Sequence, residues 1–245
     1  VAPDYHLSFC RIEKVMTTIF DGIFCYINNK TEFEASNRKI STELYQTRFC
    51  GNGNVYPNLT GVDEAIGTRR TEFVVVRHPI DRFLSGFADK CIRLARREPS
   101  MCYSCNGNME CFVSALAKQM DEFYSKGTTR HSYELYHFAP QTWYCDFASH
   151  LEKYIILKYE SGAQGIARMA NKFDSIFRRA GVPKIIRKEI HKELLVERNN
   201  HSTVGTAERR QAEEILMSNL ALLTRVTQIF YYDFIVFGFE LPILI

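Results

Sequence analysis

The sequence has no apolar run long enough to cross a bilayer: its best candidate, residues 220–245, is interrupted by Arg225, Gln228, Asp233 and Glu240, all costly at a bilayer centre. It also has no internal repeat, no block of like charge and no long Ser/Gly/Pro linker, so the 245 residues read as one continuous domain. Thirteen Gly and seven Pro are too few for collagen or a low-complexity chain, and 46% hydrophobic residues are too many for a disordered one. Basic residues exceed acidic ones by only three, 31 against 28, which argues against a nucleic-acid partner but leaves room for an anion in a local basic site. Met is missing from position 1. The chain opens at Val1, and the expectation is that an upstream segment was removed, where a signal peptide or anchor would have lain; a membrane association is expected only through that segment.

What is present first is cysteine. Eight of them (Cys10, Cys25, Cys50, Cys91, Cys102, Cys105, Cys111 and Cys145) permit complete pairing in an oxidising compartment. Three glycosylation sequons, at Asn29, Asn58 and Asn200, point the same way, to the secretory pathway. The rival for Cys102-x2-Cys105-x5-Cys111 is a zinc site completed by Cys91 or Cys145, but a second CxxC or CxxH pair is lacking. Most or all eight cysteines are therefore expected in disulfides, with Cys102, Cys105 and Cys111 on an insertion outside the sheet.

Hydrophobic patterning sets the fold class. Residues 7–12 alternate as a strand, and after a short loop a helical pattern begins at Thr17. Phe73-Val74-Val75-Val76 is a short apolar β-branched run, as in a strand buried on both faces of a parallel sheet. Pro79 then opens a helix along which Ile80, Phe83, Leu84, Phe87, Cys91 and Leu94 recur at helical spacing. Tyr154-Ile155-Ile156-Leu157 reads as a third buried strand, followed by a helix over about 163–180 that stops at Gly181. Residues 28–70 read as loops around a short helix, and one long helix over about 206–230 closes the chain. Strands alternating with helices predict an α/β fold with a central, mainly parallel sheet flanked by helices.

In such folds anions settle at the carboxyl ends of strands, where helix amino termini aim N–H groups at them. Two loops here carry cations at that place. The first is Lys14-Val15-Met16-Thr17-Thr18, whose amides, hydroxyls and ammonium suit a phosphate or sulfate; the plainer reading is a surface Lys before a Thr-capped helix. The second pairs Arg77, directly after three valines, with Ser85 on the polar face of the next helix, a clamp for a second phosphate. Two cradles suggest a nucleotide with phosphates at both ends. A kinase is disfavoured, because no Gly precedes Lys14 in the loop and the strand at 73–76 ends in Arg instead of a magnesium-binding Asp.

These residues resemble the Golgi carbohydrate sulfotransferases, in particular the chondroitin/dermatan 4-O-sulfotransferase group. Cys10-x3-Lys14-Val15-x2-Thr18 is similar to that family's 5′-phosphosulfate loop, and Arg77 with Ser85 to its 3′-phosphate motif. His137-Phe138, Cys145, Lys158-Tyr159-Glu160 and Tyr232-Asp233-Phe234-x2-Phe237-Gly238-Phe239 follow in the family's order. Glu13 stands where the family usually has Pro, Phe20 near its Trp, and Ala148 at a second Cys, as in a divergent branch.

The resemblance implies a P-loop-like nucleotide-binding domain, 3′-phosphoadenosine 5′-phosphosulfate (PAPS) as donor, a carbohydrate hydroxyl as acceptor, no metal, and residence in the Golgi lumen or secretion. It makes Lys14 the group that stabilises the bridging phosphate oxygen and His137 the general base, against a satisfied core histidine. It also puts the hydroxyl-rich loop with Ser202 and Thr203 near the nucleotide, although Thr206 as a helix cap with Arg209 and Arg210 exposed explains that loop nearly as well. His78, beside the Arg77 clamp, reads as a loop residue. The basic runs Arg93/Arg96/Arg97, Arg178/Arg179 and Lys184/Arg187/Lys188 read as solvated helix faces or as steering for an acidic glycan. The alternative to an enzyme is a secreted glycan-binding protein with this fold and no turnover, which Glu13 beside the key lysine favours.

Overall fold

The computed structural model describes residues 1–126, 132–196 and 203–243. In chain order the elements are β1 (Leu7–Cys10), α1 (Thr17–Asn28), α2 (Lys30–Ala35), α3 (Leu59–Ile66), β2 (Thr71–Val76), α4 (Pro79–Gly86), α5 (Met109–Lys126), α6 (Tyr133–Phe138), α7 (Phe147–His150), β3 (Ile155–Lys158), α8 (Gly162–Arg179), α9 (Lys184–Leu195), α10 (Ala207–Ser218), α11 (Leu220–Ile229) and α12 (Tyr231–Phe237). They gather into two compact units, each built from two stretches of chain: Val1–Val76 with Tyr144–Asn200, and Arg77–Trp143 with His201–Ile245.

The first unit holds the sheet. Its order is β1-β2-β3 with both pairs parallel, Phe9 opposite Phe73 and Phe73 opposite Ile155. Phe73 to Val76 are fully buried, as their unbroken apolar run predicts for a central strand. On one face Phe9 and Phe73 meet Phe20 and Phe24 of α1 and Phe173 and Phe177 of α8, with Phe9 stacked 4.2 Å from Phe20 and Phe20 edge-on to Phe173 at 4.9 Å. The third strand departs from the expectation of burial. It lies at the sheet's edge, and Ile156 is 38% exposed, because an apolar run alone does not distinguish an edge strand from a central one. Cys10–Cys145 ties the end of β1 to the segment before α7, and Cys25–Cys50 ties α1 to the loop that follows α2.

The second unit is helical. Phe83, Phe87, Phe112, Phe138, Phe230 and Phe234 form the centre of its core, and α4 continues into a π-helical segment, Phe87–Leu94. Gly86 is required by the close approach of α6: a Cβ there would lie 2.7 Å from the Phe138 ring. Cys91–Cys102 and Cys105–Cys111 join the π-helical segment, the loop and the start of α5, so these cysteines lie outside the sheet. All eight cysteines are paired, which removes the zinc reading.

The closing helix is not continuous. Asn219 takes an extended conformation (φ −119°, ψ 95°) and its side chain accepts the Leu222 N–H, so it ends α10 and caps α11; a 60° bend then separates α11 from α12. Propensity favours an unbroken helix here, and the cap overrides it. Among the described residues no single helix is long and apolar enough to cross a membrane.

Candidate active site

In the first unit, the loop between β1 and α1 turns through two left-handed residues, Lys14 (φ 67°) and Met16 (φ 59°), with Val15 between them at negative φ. Each costs roughly 1–2 kcal/mol for a residue with a Cβ, a strain that the loop carries on its way into α1. Val15 itself is buried, and its N–H is turned back to the Ile12 carbonyl at 3.3 Å. The donors of the first helical turn begin at Thr17 and Thr18, and no side chain caps α1 at Met16, so an anion can take the place of a cap. Lys14 is half-buried in this loop.

Glu13, the departure from the family pattern, is buried and lies 3.3 Å from the Arg11 guanidinium, which also reaches Asp21 at 3.3 Å. Arg11 and Arg48 cover the Tyr45 ring at 4.7 and 4.5 Å. Burial pushes the Asp21 carboxyl above the ordinary range, against the pull of both arginines. The extra carboxylate is thus met by a guanidinium.

In the second unit, Arg77, Asp81 and Ser85 fall four residues apart on one face of the chain leading into and along α4. Arg77 Nε donates to Asp81 Oδ2 at 2.5 Å, and Arg209 Nη2 donates to Asp81 Oδ1 at 2.7 Å. Burial would raise the Asp81 carboxyl, but the two guanidiniums outweigh it and hold it below the usual range. On the next turn the Thr203 hydroxyl donates to Ser85 Oγ at 3.1 Å, both residues being buried. Two hydroxyls separated by 118 positions, both marked in the sequence, are thereby brought together. Thr206 also caps α10, accepting the Arg209 N–H, so the cap stands beside the hydroxyl reading; Arg210 is exposed as expected, but the Arg209 side chain is drawn in to Asp81. Ser202 lies outside the described residues, as do His131, Asn200 and His201.

His137 is 9% exposed at the end of α6, with Tyr133 at 4.3 Å and Tyr136 at 5.4 Å between ring centres. Its Nδ1 lies 2.8 Å from the Tyr133 carbonyl, which can only accept, so Nδ1 carries the proton and Nε2 is the basic nitrogen of the neutral ring. Arg82, buried, donates to the Ala139 carbonyl at 2.8 Å and to that of His137 at 3.4 Å, which fixes the end of α6. His78 packs edge-on against Phe234 and Phe239, and burial lowers its pKa. Among the described residues, no group of three or more His, Cys, Asp or Glu side chains is arranged to hold a metal ion.

Of the basic runs, Arg178, Lys184, Arg187 and Lys188 line a cleft of about 470 Å³ between α8 and α9, in which Asp174 is bonded to Arg187 at 2.9 Å. The sequence reading missed Asp81 and Arg209 as partners of the Arg77 clamp, and Gln141 behind it. Asp81 stood four residues from Arg77, a helical ion-pair spacing; Arg209 and Gln141 had no local signal.

A model of the sulfotransferase family matches residues 1–240. The carbohydrate sulfotransferase chst-1 of Caenorhabditis elegans is 32% identical over 98% of this chain and 74% of its own length. The putative sulfotransferase vep-2 of the same organism is 32% identical over 86% of this chain and 66% of its own. No solved structure shows a significant match.

Proposed function

The chain belongs to the sulfotransferase family, and from that premise we propose that it transfers the sulfuryl group of PAPS to a hydroxyl of a carbohydrate, within the secretory pathway. Loop residues 14–18 hold the 5′-phosphosulfate, and Lys14 stabilises the bridging phosphate oxygen as charge develops on it. Arg77 and the Ser85–Thr203 hydroxyl pair hold the 3′-phosphate. His137 Nε2 takes the acceptor proton while the new S–O bond forms and the old one breaks, which leaves adenosine 3′,5′-bisphosphate as the product. The cation-lined cleft between α8 and α9 favours an acidic saccharide as acceptor.

The observation that carries this reading is the buried Ser85–Thr203 pair one turn beyond Asp81, the residue that orients Arg77. Four disulfides support an oxidising compartment, and Golgi residence is the proposed location. Glu13 gave the reason to think of a binding protein without turnover, and its pairing with Arg11 supports a working loop instead. Calorimetry with adenosine 3′,5′-bisphosphate tests the donor site: Arg77→Ala is expected to weaken binding more than Ser85→Ala does, and unchanged affinity in Arg77→Ala would remove the assignment.

A further inference from the structure

Asp233 lies in the Tyr232-Asp233-Phe234 motif, which no step above uses, and it is fully buried. Its Oδ2 accepts the Gln141 main-chain N–H at 2.7 Å, and its Oδ1 accepts the Thr142 N–H at 2.9 Å and the Thr142 hydroxyl at 3.1 Å. Gln141 is fully buried as well, and its side chain reaches Arg77. Its Oε1 accepts the Arg77 N–H at 2.8 Å, and its Nε2 donates to the Arg77 carbonyl at 2.8 Å. This is the pair of bonds a neighbouring strand would make to one residue, supplied instead by a single amide group. The Arg77 main chain is held on both sides of its Cα by Gln141, and its guanidinium is held by Asp81.

A carboxylate wholly out of water is costly unless its oxygens are satisfied, and here four donors from Gln141 and Thr142 serve that purpose. An apolar contact would close the core equally well. The polar arrangement does something packing cannot: it fixes the direction in which one arginine leaves the chain.

We propose that Gln141, anchored by Asp233, is a positioning residue for Arg77, holding its main chain so that the guanidinium meets the 3′-phosphate without reorganisation. The proposal rests on Arg77 being the 3′-phosphate ligand. Because misplacement of a binding group by about 1 Å can cost on the order of 10²-fold, loosening the Arg77 main chain should weaken 3′-phosphate recognition by about tenfold or more.

The test compares adenosine 3′,5′-bisphosphate with adenosine 5′-monophosphate by calorimetry. In Gln141→Met, which keeps the volume and removes both bonds to Arg77 along with the 3.4 Å Nε2 contact to Asp233, affinity for the bisphosphate should fall about tenfold while affinity for the monophosphate stays the same. In an Arg77→Ala background the same change should alter neither affinity. Asp233→Asn, which keeps the shape and turns one acceptor into a donor, should repeat the pattern and serves where Gln141→Met fails to fold. Equal loss on both nucleotides, no loss on either, or full additivity with Arg77→Ala would overturn the proposal. A wild-type protein that binds the two nucleotides equally would instead remove the reading of Arg77 itself.

Discussion

Removing the Ser85 hydroxyl separates what the Ser85–Thr203 pair does for the fold from what it does for the ligand. Both residues are buried and the hydroxyls are 3.1 Å apart, so Ser85→Ala leaves the Thr203 hydroxyl without its partner inside the protein. An orphaned buried hydroxyl costs about 1–3 kcal/mol, which for a chain of this length lowers Tm by about 2–4 °C per kcal/mol. Loss of a charge-assisted bond to phosphate, about 1.5–3 kcal/mol, corresponds to a Kd for adenosine 3′,5′-bisphosphate raised about 12- to 140-fold. The double variant Ser85→Ala/Thr203→Val removes both partners and leaves apolar groups of similar shape, so its Tm should return toward wild type. Its affinity should stay as low as that of the single variant or lower. Thermal unfolding and calorimetry on the three proteins read the two effects separately. Wild-type affinity of Ser85→Ala for the bisphosphate, or a double variant less stable than Ser85→Ala, would overturn the assignment of the hydroxyl pair.

His137→Ala should lower kcat by about 10²–10⁴-fold with nucleotide affinity nearly intact, whereas Lys14→Ala should lower kcat and weaken PAPS binding together; near-normal turnover of folded His137→Ala would move the base role elsewhere. Gly86→Ala should destabilise by about 1–3 kcal/mol through overpacking against Phe138, and Phe138→Leu should recover part of that loss in the same thermal unfolding assay. Because the Asp81 carboxyl is held below its ordinary value of 3.8, the unfolded chain takes up its proton first as pH falls. The stability Asp81 contributes is therefore complete above that value and is lost as pH drops beneath it; a difference from Asp81→Asn that persists unchanged to strongly acid pH would contradict the assignment.

Much of the architecture was legible because local chemistry and global fold agree. The β-branched run at 73–76 has no good alternative to a buried strand, and Pro79 after it leaves little choice but a helix start. The failures have physical causes. Ile155-Ile156-Leu157 is as apolar as a central strand, yet its neighbours leave it on an edge, and Asn219 interrupts a segment whose composition favours helix throughout. Lys14, Arg77, Ser85 and Thr203 could be named as candidates because their chemistry is local to a strand end or a hydroxyl-rich loop. Gln141 and Asp233 could not be given a role, since a buried polar residue is explained only by partners 64 and 92 positions away.

Sulfuryl transfer itself is read by incubating the protein with PAPS carrying labelled sulfate and a panel of acidic and neutral glycans. Label should appear on a carbohydrate hydroxyl, with acidic acceptors preferred, and should be lost in Arg77→Ala and His137→Ala. A folded protein that binds adenosine 3′,5′-bisphosphate and glycan but transfers no label to any acceptor would contradict the proposed function.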